Sequence, residues 1–388
     1  MYDAISAGHV CLDMTPVFFK ESGGIKDIFV GGKLTNIGEM KMTIGGSISN
    51  TGVALNKLGL NAPIMGKVGK DQIGGMISDI AASSGVNVDH MMESEGDSSS
   101  YTIVLAPYGV DRMFLHEPGA NNTFTSDDVS DDILSNTKLF HFGYPTLMKK
   151  MYENCGAETV KLFKRAKEKG CTTSLDLTLP DPSSECGKLD WEAILSNLLP
   201  YTDVFLPSIE EIVYMLDKAE YGRLKAINDD ILENISIEYI SGLGNRIIDM
   251  GCRIVVLKCG TLGYYVKTAG KDTLKKMGRA IPTDLDQWAD KELFSGIFKI
   301  DEVKSATGAG DTSIAAFLTS IIKGYSLEKA VTLACATGAL CCTAYGSTEA
   351  LMPIEDIWAK VESGWERRPV DRDTYDFKLN EEFGLYER

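Results

Sequence analysis

Residues 305–322 read SATGAGDTSIAAFLTSII, a turn of small residues that runs directly into an apolar helix. In such a turn the backbone N–H groups of Gly308, Ala309 and Gly310 point out of the positive end of the helix and can bind an anion. Asp311 stands where its carboxylate can cap the helix or accept a proton from a hydroxyl group held near that anion. Taken alone, the stretch is also explained by a tight turn with a capping Asp.

A second glycine-rich stretch, GGSISN, begins at Gly45. The pair Gly45–Gly46 allows the backbone to approach a ligand closely, and the amide of Asn50 offers a donor and an acceptor to a polyol. Asp13 follows the first apolar run, where a carboxylate can accept hydrogen bonds from two hydroxyl groups. Each feature also occurs in ordinary turns, so they are informative only in combination.

Short apolar runs alternate with amphipathic stretches along most of the chain, which predicts an α/β protein with a parallel sheet and helices on both faces. The predicted strands cover residues 4–7, 64–68, 139–142, 173–177, 204–206, 254–257 and 264–266. The predicted helices cover residues 50–58, 74–83, 157–169 and 208–216.

Two regions break this alternation and predict a small antiparallel sheet that covers the main domain as a lid. Residues 39–44 alternate apolar and polar side chains, as in a strand with one wet face, and residues 101–116 form a hairpin pattern around a turn. The predicted division is a core of residues 1–13, 45–97 and 118–365, a lid of 14–44 and 98–117, and a surface extension of 366–388. Residues 217–250 look helical and 270–296 look like an insertion, and neither indicates a role.

Composition excludes several classes of protein. The 388 residues carry a formal net charge of −16, with 44% hydrophobic and 24% charged residues, which is typical of a folded globular chain. Nucleic acid and anionic membrane surfaces are therefore not expected as partners. We expect no export signal and no spanning helix, and nine scattered cysteines favour reduced thiols in the cytoplasm. The four histidines lack metal-ligand spacing, so no zinc site is expected.

The order and spacing of the two glycine-rich stretches resemble the PfkB (ribokinase-like) family of carbohydrate kinases over about residues 3–355. Weaker similarities to that family lie between them, in Pro118-Gly-Ala-Asn, in Pro207-Ser-Ile-Glu-Glu and in Lys258-Cys-Gly-Thr-Leu-Gly. The resemblance implies a ribokinase-like three-layer α/β/α sandwich with a small antiparallel β-sheet lid. It also implies Mg²⁺-dependent transfer of the γ-phosphoryl group of ATP to a sugar hydroxymethyl group.

The same resemblance implies a role for each candidate residue. Asp311 would be the base, and the backbone amides of Gly308, Ala309 and Gly310 would stabilise charge on the transferred group. The implied sugar-binding residues are Asp13, Gly45, Gly46, Asn50 and Arg112. The implied nucleotide-binding residues are Lys258, Thr261, Gly263 and Thr307. Glu211 would help to hold Mg²⁺ through water.

Four positions depart from the family pattern. Ser305-Ala306 replaces the usual Asp-Thr, so we expect no strong monovalent-cation site. Ser208 replaces an Asn before Glu211, which predicts weaker support for that acid. Thr178 also replaces an Asn, and Cys335 stands where many members carry an Asn beside adenine.

The substrate stays open at the level of sequence. A neutral sugar, ribose- or fructose-like, is favoured because a phosphosugar calls for a cluster of cations that the sequence does not show. A nucleoside kinase of the same family is one alternative, and a non-catalytic sugar- or nucleotide-binding sensor is another. The glycine patterns of Rossmann dehydrogenases and P-loop enzymes are both missing. A homodimer that pairs through the lid is possible because an exposed sheet edge can pair with a second copy.

Overall fold

The computed structural model describes residues 1–20, 25–107, 113–370, 372–374 and 376–388. Its strands are β1 (Tyr2–Gly8), β2 (Cys11–Pro16), β3 (Met40–Gly45), β4 (Ile64–Met65), β5 (Lys67–Gly69), β6 (Met92–Ser94), β7 (Tyr101–Leu105), β8 (Met113–Glu117), β9 (Thr137–Gly143), β10 (Thr172–Asp176), β11 (Val204–Phe205), β12 (Ile254–Lys258), β13 (Tyr264–Thr268), β14 (Glu292–Ser295), β15 (Lys378–Asn380) and β16 (Leu385–Glu387). Its α-helices are α1 (Ile25–Ile28), α2 (Ser47–Lys57), α3 (Gln72–Ser83), α4 (Asp131–Ser135), α5 (Lys149–Glu168), α6 (Trp191–Leu198), α7 (Ile209–Leu216), α8 (Lys218–Ile227), α9 (Ile237–Asp249), α10 (Lys271–Leu274), α11 (Ala309–Ile322), α12 (Leu327–Cys341) and α13 (Ile354–Glu362).

One large sheet dominates the part of the chain that the structure describes. Its spatial order is β15-β16-β14-β13-β12-β11-β10-β9-β1-β4. The strands from β4 through β12 pair in parallel, as predicted for a sheet connected by helices. From β12 to β15 every pairing is antiparallel, so the sheet is mixed rather than wholly parallel.

Helices cover both faces of this sheet, which confirms the three-layer α/β/α prediction. In β9, Leu139 packs into one core cluster and its neighbour Phe140 into the other, because successive strand side chains point to opposite faces. The Phe140 face is covered by residues of α5 to α9, and the Leu139 face by residues of α2, α11, α12 and α13. A strand buried on both faces reads as a continuous apolar run, which explains why the sequence identified it.

The lid is a second sheet with the order β3-β2-β7-β8. The pairs β2–β3 and β7–β8 are antiparallel as predicted, whereas β2 and β7 join them in parallel. The lid sheet begins at Cys11, which pairs with Gly45, and so it starts earlier than the predicted boundary at residue 14 and includes Asp13. Arg112 lies outside the described residues.

The chain passes from β1 to β2, and hence from the main sheet to the lid, through two residues. The second of them, Val10, is held by Asn121, whose Oδ1 accepts a hydrogen bond from the Val10 N–H at 3.1 Å. Asn121 Nδ2 also donates to the Val10 carbonyl oxygen at 2.8 Å. Asn121 is fully buried, so this pairing fixes the point where the lid leaves the core.

Two segments differ from their predictions. Residues 366–388, predicted as a surface extension, instead add β15 and β16 to the main sheet, because β16 pairs with β14 and buries Leu385. Residues 270–296, predicted as an insertion, contain α10 and the internal strand β14, and bury Trp288. No helix in the described parts of the chain is long and apolar enough to cross a bilayer.

Candidate active site

The small-residue turn before α11 depends on glycine at its first position. Gly308 has φ +83°, in the left-handed region that favours glycine, and a Cβ there would lie 2.3 Å from the Cβ of Ser347. The helix therefore starts at Ala309, and Gly308, Ala309 and Gly310 line a cavity. The Ala309 N–H donates to the Ala306 carbonyl oxygen at 3.2 Å. The start of a helix beside a cavity is suited to binding an anion.

Asp311, in the first turn of α11, is buried and accepts hydrogen bonds from three side chains. The Tyr144 hydroxyl donates to Asp311 Oδ1 at 2.8 Å, and the Thr51 hydroxyl donates to the same oxygen at 3.4 Å. Asn50 Nδ2 donates to Asp311 Oδ2 at 3.2 Å. Two other elements therefore orient the carboxylate: Tyr144 lies just after β9, and Asn50 and Thr51 lie near the start of α2.

The surroundings of Asp311 also change how strongly it holds a proton. Burial raises the pKa of Asp311, and the nearby Lys258 ammonium and the three hydrogen bonds lower the pKa in part. A carboxylate whose pKa stays above its usual range accepts a proton more readily than one exposed to water. This is the property required of a general base that acts on a hydroxyl group.

Lys258, at the end of β12, forms a buried ion pair with Asp176, at the end of β10, with 2.5 Å between Nζ and Oδ1. Burial lowers the pKa of Lys258, but Asp176 and Glu211 outweigh this effect and the net pKa is raised. Burial in turn raises the pKa of both Asp176 and Glu211. Lys258, which the sequence predicted as a nucleotide contact, therefore points its ammonium group at a cluster of carboxylates. This cluster lies beside the turn that precedes α11.

Ser208 supports Glu211 directly, contrary to the expectation that the loss of Asn weakens that acid. The Ser208 N–H donates to Glu211 Oε2 at 2.7 Å, and the Glu211 N–H donates to Ser208 Oγ at 3.2 Å. This reciprocal capping box begins α7 and holds the Glu211 side chain against the cavity.

The carboxylates fit a hard divalent cation such as Mg²⁺. Asp176 Oδ2 is buried and has no hydrogen-bond partner among the described residues, and Glu211 and Lys258, the ion-pair partner of Asp176, line the cavity. Mg²⁺ prefers carboxylate oxygens and retains several waters, which suits one or two acids in an open cavity.

The cavity has a volume of about 530 Å³ and runs from Asp311 to an apolar end. Thr261 and Gly263 line it, as predicted for nucleotide contacts, whereas Thr307 is exposed and its N–H donates to Ser305 Oγ at 3.2 Å. Arg368 also lines the cavity, although its segment was predicted to lie away from the site. The apolar lining comprises Ile297, Phe298, Ile300, Val303, Ala334 and Ala339, together with Cys335.

The predicted sugar-binding residues meet where β2, β3 and α2 come together. A Cβ on Gly45 would lie 2.2 Å from Asp13 Oδ2, so only glycine permits this close approach. Gly46 has φ +92° and precedes α2. Burial raises the pKa of Asp13, whose Oδ1 accepts a hydrogen bond from the Cys11 thiol at 3.3 Å.

Asn50 contributes to the site differently from the prediction. Its Nδ2 donates to Asp311, and its Oδ1 accepts from Ser347 Oγ at 2.8 Å, so both ends of the amide contact protein groups. Asn50 therefore links α2 to the turn before α11. The sequence also missed Tyr144, whose only local signal is its position at the carboxyl end of β9, where ligands bind in α/β sheets.

Comparison with known proteins agrees with this geometry. Residues 24–355 match the family model of the pfkB family carbohydrate kinases. An uncharacterized sugar kinase of Archaeoglobus fulgidus is 28% identical over 299 residues, which cover 77% of this chain and 98% of that protein. Fructokinase-2 of Solanum habrochaites is 25% identical over 334 residues, which cover 82% of this chain and 87% of that protein.

The fold is also found in solved structures. Arabidopsis thaliana ribokinase complexed with ribose and ATP superimposes with a TM-score of 0.68 at 17% identity, covering 92% of this chain and 98% of that one. At that identity the likeness establishes the ribokinase-like fold. The family model covers most of the chain, so the chain belongs to the PfkB family of carbohydrate kinases.

Proposed function

We propose that this kinase transfers the γ-phosphoryl group of ATP to the hydroxymethyl group of a neutral sugar, ribose- or fructose-like. The observation that carries the proposal is the buried Asp311 carboxylate, held by three donors at the start of α11, in the same helical turn as the residues Ala309 and Gly310 that line the cavity. This arrangement combines a proton acceptor with an anion site within one helical turn.

In the proposed reaction, Asp311 accepts the proton of the sugar hydroxyl while the hydroxyl oxygen bonds to the γ-phosphorus. The bond from that phosphorus to the β–γ bridging oxygen breaks, and ADP leaves. The amides of Gly308, Ala309 and Gly310 donate to the phosphoryl oxygens as charge redistributes over them. Positioning and charge neutralisation account for most of the catalysis in such transfers.

The remaining charged side chains keep ATP and its counter-ion in place. Glu211 and the unpaired oxygen of Asp176 would hold Mg²⁺, largely through water. The ion, when bound, neutralises charge on the ATP phosphates. Lys258 reduces repulsion between these acids and the phosphates. The apolar end of the cavity would take the adenine base, and Arg368 would contact the nucleotide from the opposite wall.

Several observations support a neutral sugar as the acceptor. Asp13 is a half-buried carboxylate that accepts hydrogen bonds, which suits hydroxyl groups and repels phosphate. The chain carries a net charge of −16. Similar proteins include one named as a sugar kinase and others named as fructokinases.

The test is ADP release from Mg·ATP with a panel of ribose, fructose, glucose, their phosphates and common nucleosides. We expect turnover with at least one neutral pentose or hexose and none with its phosphate. Turnover with nucleosides alone would replace the sugar by a nucleoside. No ADP with any acceptor, while sugar or nucleotide still binds by calorimetry, would identify a sensor.

We also propose that a second copy of the chain pairs through the lid. The outer strands of the lid expose four large apolar side chains, those of Met40, Met42, Phe114 and Leu115. Contact of this apolar surface with water is unfavourable in a monomer, and pairing with a second copy would remove it. Light scattering should give the mass of a dimer. Phe114→Ser combined with Met42→Ser should give a monomer, whereas a monomeric parent protein would contradict the pairing.

A further inference from the structure

Outside the catalytic cavity, three metal-binding side chains meet near the junction of the core and the lid. His9 lies in the connection after β1, Cys11 begins β2 and His116 belongs to β8. One ligand atom from each lies within 4.8 Å of the other two. The two histidines are 107 positions apart in the sequence, which is why the spacing gave no sign of them and the sequence predicted no zinc site.

The two imidazole rings face each other through their Nε2 atoms, which are 3.4 Å apart. A tetrahedral zinc ion with Zn–N bonds of about 2.0–2.1 Å holds two nitrogens about 3.3 Å apart. The observed separation is therefore close to the one that the metal requires. The Cys11 Sγ atom lies within 4.8 Å of one ring nitrogen of each histidine.

Hydrogen bonding fixes the orientation of His116. The Thr102 hydroxyl donates to Cys11 Sγ at 3.6 Å, so its oxygen is left to accept from His116 Nδ1, 3.0 Å away. With its proton on Nδ1, His116 presents a lone pair at Nε2. A hydrogen-bond acceptor behind the distal nitrogen is the arrangement that commonly orients a metal-binding histidine.

The contact between the two Nε2 atoms depends on the tautomer of His9, whereas its buried Nδ1 lacks a partner among the described residues in either tautomer and also with a cation at Nε2. If its proton lies on Nε2, the rings share a hydrogen bond but the Nδ1 lone pair stays buried and unpaired. If the proton lies on Nδ1, two lone pairs face each other across 3.4 Å. A cation between the two Nε2 atoms turns this repulsion into ligation.

We propose that His9 Nε2, Cys11 Sγ and His116 Nε2 form a binding site for a borderline-soft divalent cation of the Zn²⁺ type, with its fourth position open. Two imidazoles and a thiolate are ligands that Zn²⁺ accepts and Mg²⁺ does not favour. Binding releases the Cys11 thiol proton to solvent, so one proton leaves for each ion bound. His116 is exposed, which gives the ion a path into the site.

The fourth position faces the candidate sugar site, since the Asp13 carboxylate is 3.3 Å from Cys11 Sγ. Water, or a carboxylate oxygen of Asp13, can complete the tetrahedron. The site is distinct from the carboxylates of Asp176 and Glu211, which offer only oxygen ligands and lie at the other cavity, which Glu211 lines.

The test uses Co²⁺ as a spectroscopic substitute for Zn²⁺, titrated into the chelator-treated full chain in excess Mg²⁺ without sugar or ATP. We expect one Co²⁺ per chain, tetrahedral visible bands, a near-ultraviolet thiolate-to-cobalt band, and displacement by Zn²⁺. Cys11→Ser should abolish the thiolate band. His116→Gln should weaken binding by at least about 100-fold, and Thr102→Val by about 10- to 100-fold.

Two matched controls separate the site from adventitious binding. Cys155→Ser removes an exposed thiol, and His90→Gln removes a histidine that contacts Tyr2 instead, so both should bind Co²⁺ like the parent protein. His116 is exposed, so its variant should keep the melting temperature of the metal-free protein. A parent protein with no thiolate band, or a Cys11→Ser variant that keeps it, would overturn the site. Either result leaves the kinase proposal unaffected, because neither measurement involves phosphoryl transfer.

Discussion

The Tyr144 hydroxyl donates a hydrogen bond to the Asp311 carboxylate across 2.8 Å. Tyr144 has φ +63°, a left-handed conformation that is uncommon outside glycine, and so the backbone after β9 holds the phenol in an unusual position. Because this bond stabilises the ionised form of Asp311, we expect Tyr144→Phe to raise the pKa of the proposed base. The acidic limb of kcat/KM should move to higher pH by about one unit.

The pH–rate profile measures this effect. A base with a higher pKa stays protonated to higher pH, so the variant loses activity first on the acidic side and recovers it near pH 8. Tyr221→Phe is the matched control, since Tyr221 donates to the surface carboxylate of Glu210. An unchanged acidic limb in Tyr144→Phe would show that this bond does not tune Asp311.

Asp311→Asn should lower kcat by about 10² to 10⁴, the range for loss of a general base. Nucleotide affinity should change little because the backbone amides of the turn remain. Steady-state kinetics and calorimetry of ADP binding separate the two effects. Asp356→Asn changes an exposed acid in the first turn of α13 and should leave both unchanged. Near-normal turnover in Asp311→Asn would remove Asp311 from the base role.

Lys258→Met should lower the free energy of unfolding by about 3–5 kcal/mol, because it leaves Asp176 buried without its cation. Without Lys258 the pKa of Asp176 rises further above its unfolded value of about 3.9. A carboxyl group with a raised folded-state pKa destabilises the fold as pH rises from the unfolded pKa through the folded one. Burial already raises the pKa of Asp176 in the parent protein to about 8, so the deficit should grow above that pH and be larger at pH 9 than at pH 7.

Denaturant unfolding of a double variant tests this explanation. Lys258→Met combined with Asp176→Asn removes the uncompensated charge and should recover much of the lost stability, most of all at pH 9, above the pKa of about 8 that Asp176 has in the parent protein. Equal deficits in the single and double variants would mean that packing of the Lys258 side chain dominates.

Arg368→Ala should raise the KM for ATP by about two- to fivefold with little change in kcat, since an exposed cation contributes modestly to binding. Arg372→Ala is a suitable control, because Arg372 Nη2 donates to the carbonyl oxygens of Leu232 and Glu233 at 3.0 and 2.8 Å. Initial rates at varied ATP measure both. A fall in kcat without a change in KM would contradict a binding role.

Activation by K⁺ should be weak. Ser305 stands where the family usually carries Asp, and its Oγ accepts a hydrogen bond from the Thr307 N–H, so this position offers no carboxylate to a monovalent cation. Rates in K⁺ and in tetramethylammonium at equal ionic strength should agree within about twofold. Ser305→Asp provides the comparison, and a large K⁺ effect in the parent protein would contradict the prediction.

The core of the fold could be predicted because its strands are buried on both faces. The run 254–257 is apolar at every position, and the run 139–142 is apolar except at His141, as expected of strands buried on both faces. The edge strands β15 and β16 are short, and Lys378 and Leu379 are exposed. Such strands give little periodicity, so the sequence did not distinguish them from a surface extension.

The candidate site was predicted where backbone geometry restricts the residue type. Gly308 and Gly45 leave a visible pattern, because a side chain at either position would collide with a neighbour. Tyr144 lies 167 positions from Asp311, and no local pattern connects them. Contacts of that kind depend on how distant strand ends meet, which the sequence alone does not specify.

The two-residue connection between β1 and β2 limits how the cleft can open. Two residues reach no further than about 7 Å even when fully extended, and Asn121 holds both polar backbone groups of Val10. Translation of the lid away from the core is therefore prevented at this point. Any movement of the lid away from the core at this point is a rotation about Val10, with the largest displacement at the far end of the lid strands.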